Sequence, residues 1–451
     1  MGFIPISESE RREMLARIGV ADSRALFEVI PEAVRFPSLT LPERLTEIEA
    51  LAHLRALASE NRDLTQLACF VGAGVYNHYV PSAVDAILSR GEFYTAYTPY
   101  QAEMSQGTLQ YMFEFQSLVC ELTGLDVANA SVYDGSTATA EAVLMAQRLT
   151  GRERVVVSGA LHPEYREVLC TYLEGLGLTP VEAGLELRSD GLDVRPAEEL
   201  VDEKTACVVI QQPDFFGQVR DLSGVAERCH AAGALLIIAV AEAASLGLLK
   251  SPGEWGADIA VAEGQSLGMP IAFGGPYAGL MATRSDYVRQ LPGRIVGETV
   301  DATGKRGFVL TLQAREQHIR REKATSNICT SQTLLALAAT VYLALLGPRG
   351  LRAVAQRSHD NAVYLADRIA ALPGYRVVTR RPFFNEFAVI GPAPAPAVRE
   401  QALAAGYLAG YDLGRSYPAL ANGLLLACTE LSSRAQMDGL VEVLRQVGRA
   451  A

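Results

Sequence analysis

Hydrophobic positions in the first part of the chain recur at helical spacing. Up to about residue 65 the apolar residues stand three or four apart, as at Ile48, Leu51, Leu54 and Leu57, and prolines separate the runs. One apolar stripe per helical turn is typical of amphipathic helices. The pattern predicts a helical N-terminal arm over residues 1–65.

Beyond the arm, short continuous apolar runs alternate with helical segments. Helices are predicted near residues 116–124, 140–149, 163–176 and 222–232, and strands over 155–158, 207–211, 235–240 and 259–262. Units of this length alternate where a mostly parallel sheet is covered by helices on both faces. We therefore expect an α/β large domain over residues 66–349.

The last third of the chain shows a different pattern. A polar segment without predicted strands runs from residue 291 to about 330, and a long apolar helix follows from near Ile328 to just before Pro348. Strands at 376–378, 387–390 and 424–428 are predicted among helices at 351–372, 396–405 and 433–446. These elements predict a small C-terminal α+β domain over residues 350–451.

Composition excludes several classes of partner. The net charge is −11 without a basic run, which argues against nucleic acid or an anionic membrane surface. Apolar runs are too short to span a bilayer, and charged residues at the N-terminus argue against a signal peptide. The seven cysteines are scattered and form no Cys-x-x-Cys pair. We therefore expect a cytoplasmic protein with reduced thiols and no metal site.

Polar residues stand where the predicted strands end. Ligands of open α/β sheets bind at the carboxyl ends of strands, and the residues just after these strands include His162, Asp214, Glu242 and Ser266. A further polar stretch, Asp134, Gly135, Ser136 and Thr137, opens a helix and could offer backbone NH groups to an anion such as phosphate, although Ser and Thr also cap helices generally. A segment rich in Gly and Tyr over residues 72–101 either packs on a neighbour or lines a site.

Residues 255–279 have the pattern of a cofactor-anchoring segment of enzymes that use pyridoxal phosphate. A short apolar strand is followed by a polar turn and a Gly-Gly-Pro run, and in such enzymes a lysine on that turn forms the Schiff base. Here Ser266 stands at the lysine position. A second departure is Ala239, at the place of the aspartate that pairs with the pyridinium nitrogen.

The scarcity of lysine supports a degenerate pocket. Lys204 precedes a strand, Lys250 and Lys305 are expected to be solvated, and Lys323 follows no strand. We therefore predict a vestigial cofactor pocket that binds no cofactor covalently. It comprises Asp134, Gly135, Ser136, Thr137, His162, Asp214, Ala239, Glu242 and Ser266.

Three longer motifs indicate a family. Residues 97–107 (YTPYQAEMSQG), 124–131 (GLDVANAS) and 315–330 (REQHIRREKATSNICT) resemble the P-protein of the glycine cleavage system, the pyridoxal phosphate-dependent glycine decarboxylase. The resemblance is to the N-terminal half of its single-chain form, and to subunit 1, the α chain, of its two-chain form. The resemblance implies that both halves of the single-chain form have the α/β fold of fold-type I transferases. Only the other half, to which this chain does not correspond, carries the Schiff-base lysine.

The resemblance also implies a division of labour. The homologous lysine-bearing subunit 2 would hold pyridoxal phosphate in an α2β2 assembly, decarboxylate glycine and pass the aminomethyl group to lipoylated H-protein. This chain would be inactive alone and would supply loops to the partner's site. The residues predicted for that role are Tyr97, Pro99, Tyr100, Gln101, Glu103, Ser105, Arg320, Lys323, Thr325, Ser326 and Asn327.

Alternatives stay open for the loops and for the function. Thr325, Ser326 and Asn327 either present NH groups to the partner's cofactor phosphate or merely cap the next helix. Arg320 and Arg321 could instead form interface salt bridges. The competing functions are a self-sufficient enzyme with a Schiff base on Lys323, and a regulatory pseudoenzyme that binds an amino acid or a partner protein.

Overall fold

The computed structural model describes residues 5–450. In chain order its α-helices are α1 (Glu8–Ile18), α2 (Glu47–Ser59), α3 (Ser82–Leu88), α4 (Gly91–Tyr94), α5 (Gln106–Thr123), α6 (Gly135–Thr150), α7 (Pro163–Glu174), α8 (Val225–Ala231), α9 (Gln317–Arg320), α10 (Thr333–Ala370), α11 (Ala395–Ala404) and α12 (Arg434–Ala450).

The strands are mostly short. They are β1 (Ala68–Cys69), β2 (Val127–Ala128), β3 (Arg154–Val157), β4 (Val181–Glu182), β5 (Leu185–Arg188), β6 (Gly191–Val194), β7 (Thr205–Gln211), β8 (Leu235–Val240), β9 (Ile259–Glu263), β10 (Gly279–Thr283), β11 (Ile295–Val300), β12 (Arg306–Thr311), β13 (Arg376–Val377), β14 (Glu386–Ile390), β15 (Tyr407–Leu408), β16 (Tyr411–Asp412) and β17 (Gly423–Ala427).

The chain divides into two compact units, one ending at Arg62 and the other beginning at Asp63. The first unit contains α1 and α2, and each of these helices begins with a capping box. Ser7 and Glu10 bond reciprocally at the start of α1, and Thr46 and Glu49 do so at the start of α2. Both helices are therefore specified locally by their sequence.

A seven-stranded sheet forms the centre of the second unit. Its order is β2-β10-β9-β8-β7-β3-β4, with parallel pairing from β9 to β4 and antiparallel pairing of β10 with both β9 and β2. The four predicted strands are β3, β7, β8 and β9, so the mostly parallel α/β sheet is confirmed. β10 was not predicted, because its apolar residues continue a glycine-rich segment.

Both faces of this sheet are buried. Val208 and Ile238 pack on one face with α5 and α10, whereas Val209 and Ile237 pack on the other with α6 and α7. Strands covered on two sides lack a polar face, which explains why they occur as continuous apolar runs in the sequence.

A second sheet, β13-β14-β17-β16, is antiparallel and packs with α10, α11 and α12. It is the α+β part expected near the C-terminus. The boundary predicted at residues 349/350 lies inside α10, two residues after Gly347, whose φ of 58° interrupts the helix. Pro348 follows Gly347 directly, at the first position of the next helical segment. Its missing NH is tolerated there because the first NH groups of a helix have no partner within the helix. The division into three domains stays a prediction.

Two local predictions were wrong. The segment 291–330 contains the hairpin β11-β12, whose turn is closed by Asp301 accepting hydrogen bonds from the NH groups of Thr303 and Lys305. The apolar helix begins at Thr333 and not near Ile328. The NH groups of Cys329 and Gln332 bond to Tyr133 and Ser131, and these tertiary bonds hold the intervening residues outside the helix.

Helix α10 is long and apolar enough to cross a membrane by length and composition alone. Of its most apolar window, 44% is buried inside the protein. Ala336, Ala339 and Tyr342 lie in the core beside the central sheet. A helix packed in a protein core can have the same length and apolar composition as a membrane-spanning helix. Packing in the core therefore explains the apolarity of α10.

Candidate functional site

The carboxyl ends of the central strands bring the predicted pocket residues to one edge of the sheet. His162, Asp214, Glu242 and Ser266 are all buried there. The NH of Ala244 donates to both Glu242 Oε1, at 2.8 Å, and Ser266 Oγ, at 3.1 Å. The ring of His162 lies 5.0 Å from that of Phe215, next to Asp214 in the chain. The structure therefore assembles the strand-end residues as one cluster.

The N-terminus of α6 enters this cluster but is already occupied by carboxylates. Asp134 caps the helix and accepts the NH of Thr137 at 2.8 Å and the hydroxyl of Ser136. Glu263 accepts the NH of Gly135 at 2.9 Å. Burial, together with the charge of Asp134, raises the pKa of Glu263 to about 8. A phosphate at this helix end would meet two carboxyl groups where it needs donors.

His162 is held by the protein itself. The NH of Glu164 donates to Nδ1 at 3.2 Å, so Nε2 carries the proton and donates to the carbonyl of Ala73 at 2.8 Å. Burial lowers the pKa of His162, which agrees with a neutral ring. A Cβ on Gly74 would lie 2.9 Å from Nε2, so the chain passes this ring as closely as a glycine permits.

Residues 72–79 are hydrogen-bonded to residues at the strand ends. Gln265 accepts the NH of Tyr76 at 2.9 Å and donates to its carbonyl at 3.0 Å. The hydroxyl of Tyr76 donates to Glu386 Oε2 at 2.9 Å, and the NH of Ala73 donates to Glu386 Oε1 at 2.6 Å. Burial raises the pKa of Glu386 to about 8. The tyrosine-rich segment thus contacts both the strand-end cluster and Glu386 of the second sheet.

The same segment places His78 between two carboxylates. Its Nδ1 lies 2.6 Å from Glu430 Oε2, and its Nε2 lies 3.3 Å from Glu242 Oε2. Burial alone would lower the pKa of His78, but Glu242 and Glu430 outweigh burial and raise it to about 10. His78 is therefore an imidazolium that neutralises buried negative charge.

The stability of the isolated chain is expected to fall as the pH rises from about 7 to about 10. The pKa of His78 rises from 6.5 to about 10 on folding, so its contribution is complete below pH 6.5 and is lost as the pH rises through 10. Glu263 and Glu386, raised from 4.5 to about 8, add a loss as the pH rises through 8. Thermal unfolding measured at a series of pH values tests this. A melting temperature that stays constant or rises over the interval would contradict it.

The cluster does not fit pyridoxal phosphate. Ser266 is buried with its hydroxyl on the NH of Ala244, and Ala239 is packed in β8 with apolar neighbours. Lys204, Lys250, Lys305 and Lys323 are all exposed, and Lys250 lies over the ring of Trp255. This edge therefore offers no amine for an aldehyde, and carboxylates occupy the place of a phosphate.

The two predicted partner-facing loops meet at Arg294. Its guanidinium donates to the carbonyl of Cys329 at 3.0 Å, to the hydroxyl of Thr330 at 3.2 Å and to that of Tyr100 at 3.4 Å. The ring of Tyr100 also lies 5.9 Å from that of His318. Loops more than 200 residues apart in the chain are thus joined into one surface.

Most residues predicted for these loops are accessible. Tyr97 is 87% exposed and Ser105 is half-buried, whereas Pro99 is buried. The other exposed members are Tyr100, Gln101, Glu103, Arg320, Lys323 and Asn327. Thr325 and Ser326 are half-buried. Which of these residues reach a partner's cofactor stays a prediction.

Thr325, Ser326 and Asn327 do not cap the next helix, because α10 begins at Thr333. The NH of Thr325 instead donates to the carbonyl of Arg315, and the hydroxyl of Ser326 accepts the NH of Ile328. Whether these three residues present NH groups to the phosphate of a partner's cofactor stays a prediction. Within residues 5–450, Arg320 and Arg321 form no ion pair. Their role in interface salt bridges stays a prediction.

Sequence reasoning missed Glu386 and Glu430, which bind Tyr76 and His78. Tyr76 and His78 themselves belong to the Gly- and Tyr-rich segment that was considered as lining a site. The only available signals were two carboxylates beside apolar strands, Glu386 at the start of β14 and Glu430 after β17. Their partners are more than 300 positions away in the chain, so no local pattern connects them.

Known proteins identify the fold. Sphingosine-1-phosphate lyase from Burkholderia pseudomallei matches with a TM-score of 0.66 at 16% identity, covering 93% of this chain and 96% of that one. Cysteine desulfurase from Thermococcus onnurineus matches with a TM-score of 0.63 at 14% identity, covering 86% and 96%. The chain has the α/β fold of fold-type I pyridoxal phosphate enzymes.

More similar proteins define the family. The model of the glycine cleavage system P-protein family matches residues 1–444, and the chain belongs to this family. A crystal structure of glycine decarboxylase (P-protein) in inhibitor-bound form matches with a TM-score of 0.91 at 48% identity, covering 99% of this chain and 100% of that one.

Curated relatives specify the type of chain. Probable glycine dehydrogenase (decarboxylating) subunit 1 from Rhodospirillum centenum is 54% identical, and both chains are fully covered. The protein of the same name from Thermomicrobium roseum is 52% identical, with 99% of each chain covered. The resemblance inferred from three motifs is thus confirmed over the whole chain, and the chain is a P-protein of the subunit 1 type.

Proposed function

We propose that this chain is the supporting subunit of a heteromeric glycine decarboxylase. A homologous, lysine-bearing subunit 2 holds pyridoxal phosphate, and an α2β2 pair of subunits decarboxylates glycine and passes the aminomethyl group to the lipoyl arm of H-protein. This chain binds no cofactor covalently and completes the partner's site with its loops.

One observation carries the proposal. The chain keeps the fold of a cofactor enzyme, yet residues 72–79 are hydrogen-bonded across its strand ends and this edge lacks a reactive amine. Gln265 binds both backbone groups of Tyr76, and Glu386 anchors the same segment from another sheet. A chain of this kind contributes to catalysis by contact with a partner.

Exposed apolar side chains supply surfaces for such a partner. On α2, Ile48, Leu51, Leu54 and Leu57 recur every three residues and are between 45% and 82% exposed. In the second unit, Tyr97 and Met104 are exposed at 87% and 79%. Grouped apolar residues of this kind mark interaction surfaces. They support association with subunit 2, as do the subunit 1 names of the relatives.

The proposal places the complex in the cytoplasm. All seven cysteines are free, including the exposed Cys170 and Cys329, which fits a reducing compartment. The self-sufficient alternative receives no support, because Lys323 lies exposed on a short helical turn. The regulatory alternative is not favoured by any contact described above.

Reconstitution tests the proposal. The purified chain and its lysine-bearing partner, each alone and then mixed, are assayed for glycine-dependent carbon dioxide release with lipoylated H-protein. We expect activity only in the mixture, because the partner's site needs the loops that meet at Arg294. Full activity of the partner alone would contradict the proposal, and so would activity of this chain alone.

A further inference from the structure

A small cleft is lined by Arg294, the residue at which the two partner-facing loops meet. Its walls come from residues 292–294 and from the segment between Arg315 and Thr330. Arg294 and Arg315 both line it, and Glu316 is the acidic residue beside them. The cluster at the strand ends shares no residue with this cleft.

Arg294 is buried without a carboxylate partner. The residue is only 5% exposed, and its hydrogen bonds go to one carbonyl and two hydroxyl groups. Its Nε has neither solvent nor a hydrogen-bond partner. These neutral partners orient the guanidinium but leave its charge uncompensated.

Arg315 also lines the cleft and likewise has a hydrogen bond to a carbonyl group and none to a carboxylate. It donates to the carbonyl of Gly293 at 2.8 Å, and its Nε is also buried and unpaired. Burial lowers the pKa of Arg315, and the charge of Glu316 only partly opposes this effect. A carboxylate oxygen of Glu316 lies 3.7 Å from Nδ1 of His318. Neither arginine has a carboxylate within 4.0 Å among the described residues.

The buried charge of Arg294 lacks a counter-charge within ion-pair distance, which is costly, and the half-buried Arg315 adds a second positive charge to the same cleft. Guanidinium groups bind carboxylate and phosphate through planar pairs of NH donors, so such a cleft suits an oxyanion. We propose that Arg294 and Arg315 form a binding site for one small oxyanion, a carboxylate or a phosphate.

The oxyanion has two possible sources with the same chemistry. It is either a free solute or a carboxylate or phosphate group carried by the partner subunit. The second source rests on the proposed function, whereas binding by the isolated chain does not. The two hypotheses can therefore fail separately.

Calorimetric titration of the isolated full-length chain tests the site, with inorganic phosphate and with acetate at constant ionic strength. We expect saturable binding of one equivalent. Arg315→Gln should weaken it by about tenfold or more, because charge-assisted hydrogen bonds are lost. Arg315→Lys, which keeps the charge without the planar donors, should lie in between.

Arg289→Gln is the matched control, because Arg289 is exposed, lies five positions before Arg294 and carries the same charge. It should bind as the native chain does. Absence of saturable binding in the native chain would overturn the proposal. So would equal weakening by Arg289→Gln and Arg315→Gln, since that would reveal a general effect of net charge.

Titration of the assembled heteromer then identifies the source. If phosphate still binds the heteromer, the site takes a free solute. If phosphate no longer binds and Arg315→Gln weakens assembly, the partner supplies the oxyanion. Both results support the site, because each presupposes binding to the isolated chain.

Discussion

His78→Phe is expected to destabilise the isolated chain by about 3–5 kcal/mol, the usual cost of removing one partner from a buried ionic group. The imidazolium lies between Glu242 and Glu430, and both contacts are shielded from solvent. Without it, two carboxylates remain close together in the interior. Urea-induced unfolding at neutral pH measures the loss.

The effect of His78→Phe has a control and a rescue. His53→Phe changes an exposed histidine and should alter stability by no more than about 0.5 kcal/mol. Replacing Glu242 and Glu430 with Gln in the His78→Phe background should restore part of the loss, because the repelling charges are removed. A loss below about 1 kcal/mol without rescue would refute the role of His78 as a buried counter-charge.

Arg294→Met should reduce decarboxylation by the assembled enzyme by about tenfold or more, since small displacements of positioning groups are costly in catalysis. Methionine keeps the apolar bulk but loses the bonds to Tyr100, Cys329 and Thr330. The two loops then lose their shared hydrogen-bond donor, and the surface they present to the partner changes.

Arg294→Met is compared with Arg289→Met, an exposed substitution that should leave activity unchanged. Size-exclusion chromatography verifies that the variant still assembles, so that lost activity is not lost complex. Native activity of the Arg294→Met complex would show that the contacts of Arg294 do not position the loops.

The central sheet was predictable because its strands are buried on both faces. Such strands appear as unbroken apolar runs, and β7 to β9 were located to within two residues. β11 and β12 lie largely at the surface, with Glu298 and Thr299 exposed in the first of them. Their side chains show too little contrast for a pattern to indicate strands.

The position of the candidate site in the fold was predictable from the sequence, but the tertiary hydrogen bonds across it were not. Strand ends locate His162, Asp214, Glu242 and Ser266, because the topology of an α/β sheet brings them together. The bonds across the site depend on Glu386 and Glu430, which belong to or follow strands of the other sheet. Hydrogen bonds between residues more than 300 positions apart depend on tertiary packing, so no local sequence pattern predicts them.

The role of Arg294 at the two loops could not be predicted from the sequence either. The sequence motifs indicated two loops of one surface, and the structure shows that a guanidinium from a third segment bonds to both of them. A lone arginine in a polar stretch gives no indication of such a role.

Borohydride reduction of the assembled heteromer with bound pyridoxal phosphate tests the central claim most directly. Reduction fixes the cofactor to the lysine that holds it, and peptide mass spectrometry locates the pyridoxyl group. We expect it on a peptide of the partner subunit, and on none of the four lysines of this chain. A pyridoxyl group on Lys204, Lys250, Lys305 or Lys323 would contradict the account of this chain as the supporting subunit.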